Sequence, residues 1–338
     1  MQIETFLEEH NQPKYRLNQF YQAYYQKLIT DFDQLTVWPK SLRDQAAKQI
    51  SLLSLKPIKT QVSKDQDTIK VLFSRQHAPE QLLEAVLMKH QDNRNTVCVS
   101  CMIGCPMNCA FCATGNMGFI ANLNADEIVE QVLFFARELA KTQQKITNIV
   151  FMGMGEPMIN LTASQESIAI LTDKNKLAMS PSRITVSTCG VITPLKKFIM
   201  EGYKGRLAIS LHAPNQELRE KIMPVAKANP LPKLFKTIDL YTKKTNKRVS
   251  YEYILIKEVN DQIEHAQQLV LLLKYKLAHV NLIPYNPVSN QSWQRPERKA
   301  VYAFAQILKE ANIAYTIRVT MGQDIAAACG QLATSKQS

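Results

Sequence analysis

The sequence predicts an α/β protein: a whole or partial TIM-like β/α barrel, preceded by a small helical domain and a short β segment. Three observations carry this reading. From Val97 onward, short apolar runs alternate with amphipathic stretches of helix length, the pattern of β/α units. The runs are apolar at successive positions, as expected of parallel strands covered on both faces. Polar residues then cluster where four of these runs end, on the side of a barrel or doubly wound sheet that carries the site. A doubly wound open sheet fits the same alternation.

The elements follow in order. Leu17, Phe20, Tyr21, Tyr24, Tyr25, Leu28 and Ile29 keep the spacing of a one-sided helix, a stripe suited to a core and also to stacking on bases. A second helix starts at Pro39, a favoured first-turn position, and runs to about Ile50. Thr68–Phe73 and Leu83–Met88 are short β-type runs. The barrel strands are expected at Val97–Val99, Ile149–Met152, Ile184–Ser187, Leu207–Leu211, Val249–Ile256, Val280–Ile283 and Tyr315–Val319. Asn124 and Glu127 form a capping-box pattern ahead of Ile128, Val132, Phe135 and Leu139 on one helix face. The domain plan is therefore 1–60 helical accessory domain, 61–95 β extension, 96–332 core domain and 333–338 polar tail. The polar clusters are Gly153–Pro157, Ser187–Gly190, Ser210–Pro214 and Asn281–Asn286.

Composition narrows the partners. With 46% apolar residues the chain can bury a core, and it has no apolar run long enough to span a bilayer. The N-terminus lacks the basic start and apolar stretch of a signal peptide, so a cytoplasmic protein without a membrane partner is expected. Forty-one Lys and Arg against 29 Asp and Glu, a formal +12, favour a polyanionic partner, with nucleic acid first. Of seven cysteines, five lie between residues 98 and 112, and Cys189 and Cys329 stand alone. In a reducing compartment such crowding reads as metal ligation or thiol chemistry.

Cys105, Cys109 and Cys112 form a Cys-x3-Cys-x2-Cys run with Phe111 before the last thiol. Three thiolates on one short loop can hold three irons of a four-iron cluster and leave the fourth open to a ligand. The spacing resembles that of the radical S-adenosylmethionine (SAM) superfamily, whose open iron chelates SAM; Gly153–Pro157 adds weight as a seat for the methionine ammonium. Two Cys-x2-Cys pairs, 98/101 and 109/112, also suit a tetrahedral zinc site, which would leave Cys105 without a role.

At finer grain the chain resembles the RlmN/Cfr family of radical SAM RNA methyltransferases. The similarity rests on CVSCMIGCPMNCAFCATG from Cys98, FMGMGEP from Phe151, ITVSTCG from Ile184, AISLHAPN from Ala208, NLIPYNP from Asn281 and GQDIAAACGQL from Gly322. It implies a radical SAM partial β/α barrel, a [4Fe-4S] cluster on Cys105, Cys109 and Cys112, and two SAM per turnover. It implies SAM contacts at Gly155, Glu156, Ser187, Ser210, Leu211, His212 and Asn286. It makes Cys329 the methylated cysteine, Cys98 the resolving cysteine and Glu84 the proton acceptor. Taken singly, Cys98 reads as a buried strand thiol, Cys329 as a small packing residue and His212 as a core histidine. Cys101 and Cys189 stand where the family usually has a small residue, and read as packing thiols. Met102 replaces the usual glutamine.

The implied chemistry accounts for these residue types. The ring carbons of adenine are electron-poor and do not attack a methyl sulfonium, so a radical route is required. In the family, the Cys329 thiolate takes a methyl group from one SAM by displacement. A 5′-deoxyadenosyl radical from a second SAM then removes a hydrogen from that methyl group, and the carbon radical adds to the base. Cys98 releases the product through a transient Cys98–Cys329 disulfide, which an electron donor such as flavodoxin or ferredoxin reduces. The expected substrate is adenosine carbon 2 in 23S ribosomal RNA, with transfer RNA as a second target, for an enzyme acting as a monomer. Pro157, Pro284 and Phe119 resemble the carbon-2 branch, whereas QPKYR from Gln12 resembles the carbon-8 resistance branch. The alternatives are carbon-8 methylation and, in another class, a zinc or iron–sulfur RNA-binding protein without methyltransferase activity. Basic stretches at Lys196–Lys197, Lys204–Arg206, Lys243–Arg248 and Arg295–Lys299, together with the helical domain over 1–60, are candidates for RNA contacts.

Overall fold

Each apolar run from Val97 onward is separated from the next by enough chain to cross back over the sheet, and the runs pair as parallel neighbours. The computed structural model describes residues 2–288 and 291–333; the polar tail expected over 333–338 lies outside the described residues apart from Ala333. Twelve strands are formed among the described residues: β1 Leu55–Val62, β2 Thr68–Arg75, β3 Leu82–Lys89, β4 Asn95–Cys98, β5 Met102–Gly104, β6 Phe119–Asn122, β7 Asn148–Phe151, β8 Ile184–Thr188, β9 Arg206–Ser210, β10 Val249–Leu255, β11 Ala278–Pro284 and β12 Ala314–Ile317. Ten of them make one sheet in the order β1-β2-β3-β4-β7-β8-β9-β10-β11-β12.

From β4 to β12 every pairing is parallel. The strands follow one another in chain order with no reversal, so the sheet lacks the switch point of a doubly wound fold. Residues from β3, β4 and β7 through β12 all line one cavity, so the sheet curls around it. The order ends at β1 and β12 without closure, which makes the barrel partial.

The antiparallel β1–β2–β3 meander joins β4 directly. The β extension therefore belongs to the main sheet, and it begins at Leu55 instead of 61. β1 escaped the sequence reading because it is a polar edge strand: Leu55 is its one buried residue, Pro57 and three polar or charged neighbours face out, and a bulge breaks its register. The β5–β6 hairpin, hidden inside the cysteine-rich segment, was also missed.

The N-terminal helices are Gln2–Glu9, Tyr15–Tyr21 and Lys40–Gln49, the last capped by Pro39. A π-helical segment, Gln22–Gln26, continues the second helix. Phe20, Tyr21, Tyr24, Tyr25 and Ile29 are buried, with Phe20 stacked on Tyr24 at 5.4 Å. The tyrosine stripe is thus core and does not present rings to bases. The Tyr24 hydroxyl donates to Glu130 at 2.8 Å, docking this domain on the helix Ala125–Ala140. That helix starts with the expected capping box between Asn124 and Glu127. Arg75 of β2 also clasps Glu127 with two bonds of 2.6 and 2.9 Å.

Candidate active site

The three-thiol loop is held at both ends. Gly104 has φ +70°, and an added Cβ there would lie 1.9 Å from the Gly118 carbonyl oxygen, so the turn into the loop requires glycine. Cys105 N–H donates to that same oxygen at 2.9 Å, and Cys112 N–H donates to Cys109 O at 3.1 Å. The three thiols are partly exposed at the end of the barrel. Burial pushes Cys105 up to about 12 and Cys109 upward as well, so ionisation calls for a metal to displace the protons. Among the described residues, no three His, Cys, Asp or Glu side chains converge on a position for a single metal ion.

The loop after β7 packs against the hairpin. Cys101 and Met102 N–H groups donate to Met154 O at 2.9 and 3.2 Å. Gly155 has φ +101°, and an added Cβ would lie 2.6 Å from Met102 Cβ. Glu156 is buried, with one carboxylate oxygen accepting from Met158 N at 3.0 Å and the other from Cys189 N at 2.8 Å. Its carboxylate therefore ties the end of β7 to the end of β8.

Ser187, Ser210, Leu211 and His212 stand at neighbouring strand ends. The His212 backbone has φ +58°, and its Nδ1 accepts from Ile254 N at 3.0 Å, which puts the ring proton on Nε2. Its ring meets Phe111 edge-on at 4.6 Å. Burial, helped by Arg219, lowers the His212 pKa to about 3 from an ordinary 6.5. The unfolded chain then binds the extra proton first. The stability contributed by neutral His212 is complete above pH 6.5 and is lost progressively as pH falls toward 3. Urea midpoints should therefore decline from pH 7 to pH 5, and His212→Gln should flatten that decline; an unchanged slope would refute this account.

The C-terminal segment after β12 crosses the open side of the barrel. Lys64 N donates to Asp324 at 2.8 Å, Lys70 Nζ to Ala326 O at 3.3 Å, Ala113 N to Gly330 O at 2.7 Å and Thr114 Oγ1 to Leu332 O at 2.5 Å. Cys329 is carried on this segment, and Asn286 Nδ2 donates to its carbonyl at 3.2 Å. Cys98, at the end of β4, lines the same cavity of about 870 Å³ as Cys329 and Asn286. The Cys329 side chain is open to that cavity. Burial pushes both thiols up, Cys98 to about 12, and a charge on either cysteine disfavours one on the other; Arg318 pulls both down. Asn286 Oδ1 is buried without a hydrogen-bond partner, as expected of a group reserved for a polar ligand.

Glu84, on β3, does not line this cavity. It pairs with Lys70 at 2.9 Å and accepts from Ala333 N at 3.0 Å, beneath the C-terminal segment. Burial raises its pKa against the opposing pull of Lys70. Cys101 and Cys189 are buried packing thiols.

Residues 99–270 match the radical SAM superfamily. A Geobacillus thermodenitrificans protein described as "probable dual-specificity RNA methyltransferase RlmN" is 43% identical over 331 residues, 98% of this chain and 90% of its own. A Protochlamydia amoebophila protein described as "probable dual-specificity RNA methyltransferase RlmN 2" is 41% identical over 332 residues, 98% and 92% of the two chains. This chain belongs to the RlmN family of the radical SAM superfamily. A crystal structure of a radical SAM methyltransferase from Sphaerobacter thermophilus superposes with a TM-score of 0.94 at 41% identity, covering 98% of this chain and 96% of that one. The fold shared with that methyltransferase thus covers nearly the whole chain. Membership brings a [4Fe-4S] cluster and SAM as cofactors, and the thiol loop and orphaned Asn286 oxygen fit them.

Sequence reasoning missed Glu252 and Arg318 in this RlmN-family site and gave Asn281 only as the start of a polar cluster. Glu252 of β10, Asn281 of β11 and Arg318 after β12 all line the cavity beside the two cysteines. Their signal was a lone acid inside an apolar strand, Ser250-Tyr251-Glu252-Tyr253-Ile254. Arg94, Arg206, Lys247 and Arg248 line the cavity as well, the last three drawn from two of the basic stretches. No helix among the described residues is long and apolar enough to cross a membrane.

Proposed function

We propose that this chain methylates carbon 2 of an adenosine in 23S ribosomal RNA and transfer RNA through a methylated cysteine. The observation that carries the reading is the meeting of Cys98 and Cys329 in one cavity, next to the three-thiol loop. Cys105, Cys109 and Cys112 would hold three irons. Gly155, Glu156, Ser187, Ser210, Leu211, His212 and Asn286 would frame SAM, with Glu156 acting as the strut that holds two strand ends in place. When bound, the cluster and SAM would supply the one-electron chemistry that activates a methyl group carried by Cys329 and would take up the one electron that the base adduct gives off before its ring proton leaves.

Cys329 sulfur, as thiolate, takes that methyl group by displacement; Arg318 nearby favours the charged form. Glu84 accepts the ring proton, and its raised pKa suits it to the task. Cys98 thiolate then attacks Cys329 sulfur, forming the S–S bond and breaking the S–CH2 bond. The electron pair stays on the methylene carbon, which gains a proton to become the methyl group. Two electrons delivered singly by a flavodoxin or ferredoxin, with two protons from solvent, return the disulfide to two thiols. We place the enzyme in the cytoplasm as a monomer.

The test uses anaerobically reconstituted protein, reductant, methyl-deuterated SAM and unmodified 23S or transfer RNA, followed by nucleoside mass spectrometry. A 2-methyladenosine keeping two of its three deuterons is expected. An 8-methyladenosine would move the reading to the carbon-8 branch, and three retained deuterons would exclude the methylene route.

A further inference from the structure

Glu252 is out of keeping with its surroundings. It is 4% exposed, on a strand whose other residues are mostly apolar, and it faces the cavity. One carboxylate oxygen accepts from Asn281 Nδ2 at 2.7 Å. The other, Oε2, is buried and has no hydrogen-bond partner. Arg318 Nη2 lies 3.7 Å from it, beyond hydrogen-bond range, so the guanidinium offsets the charge without taking the lone pair. A buried acceptor left in this condition carries an uncompensated desolvation cost, which a ligand donor entering the cavity would recover.

The backbone keeps this side chain in place. Glu252 O accepts from both Leu211 N at 3.0 Å and His212 N at 3.1 Å, and the β10–β11 register sets Glu252 opposite Asn281. The acceptor is thus preorganised, and its charge is close enough to Cys329 to push that thiol's pKa upward.

Resting on the reading above, we propose that Glu252 Oε2 accepts a hydrogen bond from the exocyclic amine of the target adenine, making Glu252 a specificity-determining residue of the reaction. Adenine presents a donor at position 6 where guanine presents a carbonyl oxygen. A carboxylate is an acceptor only, so it receives the first and repels the second. Asn281 orients the carboxylate; burial raises its pKa, and Arg318 and the Asn281 hydrogen bond oppose that rise.

A two-by-two comparison tests this. Wild type and Glu252→Gln, matched for iron content, are assayed for kcat/KM on RNA carrying either adenosine or purine riboside at the target position. The purine riboside lacks only the amine. In Glu252→Gln, Asn281 Nδ2 holds the amide oxygen and turns the amide NH2 toward the base. Wild type should lose roughly 10- to 100-fold on removal of the amine, whereas Glu252→Gln, already weakened on adenosine, should lose nothing further. A loss of equal factor in both enzymes, or in neither, overturns the proposal. Should the variant fail to retain iron, binding to wild type decides. RNA with inosine at the target must then bind at least about tenfold more weakly than RNA with purine riboside, because it sets an oxygen against Oε2; equal affinities overturn the proposal. Wild type that methylates no RNA at all sinks the underlying reading and this proposal with it, a result distinct from equal methylation of the two substrates.

Discussion

Cys329→Ala should lose RNA methylation by on the order of 10^4-fold or more while keeping its iron, because the reaction has no other carbon carrier. Cys98→Ala should fail differently: one round of chemistry proceeds, and the RNA stays joined to Cys329 through the thioether-linked methylene. The distinction follows from position. Cys329 sits on the crossing segment, open to the cavity, whereas Cys98 sits at the end of β4, buried and facing the same space. Denaturing gels of Cys98→Ala after incubation with SAM, reductant and RNA should show a shifted band that ribonuclease trims, and Cys329→Ala or the double variant should show none. If Cys98→Ala turns over freely, the resolving role is wrong; if Cys329→Ala retains methylation, the whole cysteine route is wrong.

Removing Arg75 should destabilise the fold by about 3–5 kcal/mol, the range for leaving one partner of a buried ion pair uncompensated. Arg75 grips both oxygens of Glu127, whose side chain is fully buried and also caps the N-terminus of the helix Ala125–Ala140. Arg75→Met keeps much of the stem packing but strands the carboxylate. Urea unfolding of the two should show this difference, and the double change Arg75→Met/Glu127→Leu should regain most of the loss, because two apolar groups need no charge partner. Equal stability of wild type and Arg75→Met would show that the clasp contributes nothing net.

Much of this architecture is local in origin and therefore legible along the chain. The seven parallel strands lie within a residue or two of their expected places, since alternating apolar runs and capped helices are written over a few neighbouring residues. The thiol loop and the Gly153–Pro157 turn are equally local: contiguous residues, with glycines where the backbone meets Gly118 O and Met102. β1 was not legible because an exposed edge strand is selected for polarity and Pro57, and so carries no apolar alternation. The tyrosine stripe marked a buried face, yet only the docking of Tyr24 on Glu130 decided between core and RNA contact.

By itself, then, the sequence determined the fold class, the three-thiol loop and the family, because each is encoded in short runs whose backbone geometry depends on near neighbours. The tertiary structure alone decided that Glu156 is a strut between strand ends, that Glu84 lies under the C-terminal segment, and that Glu252, Asn281 and Arg318 gather beside Cys329. Those groups come from separate strands and distant segments. Parallel register and the curl of the sheet bring them level, and no spacing along the chain records that closeness.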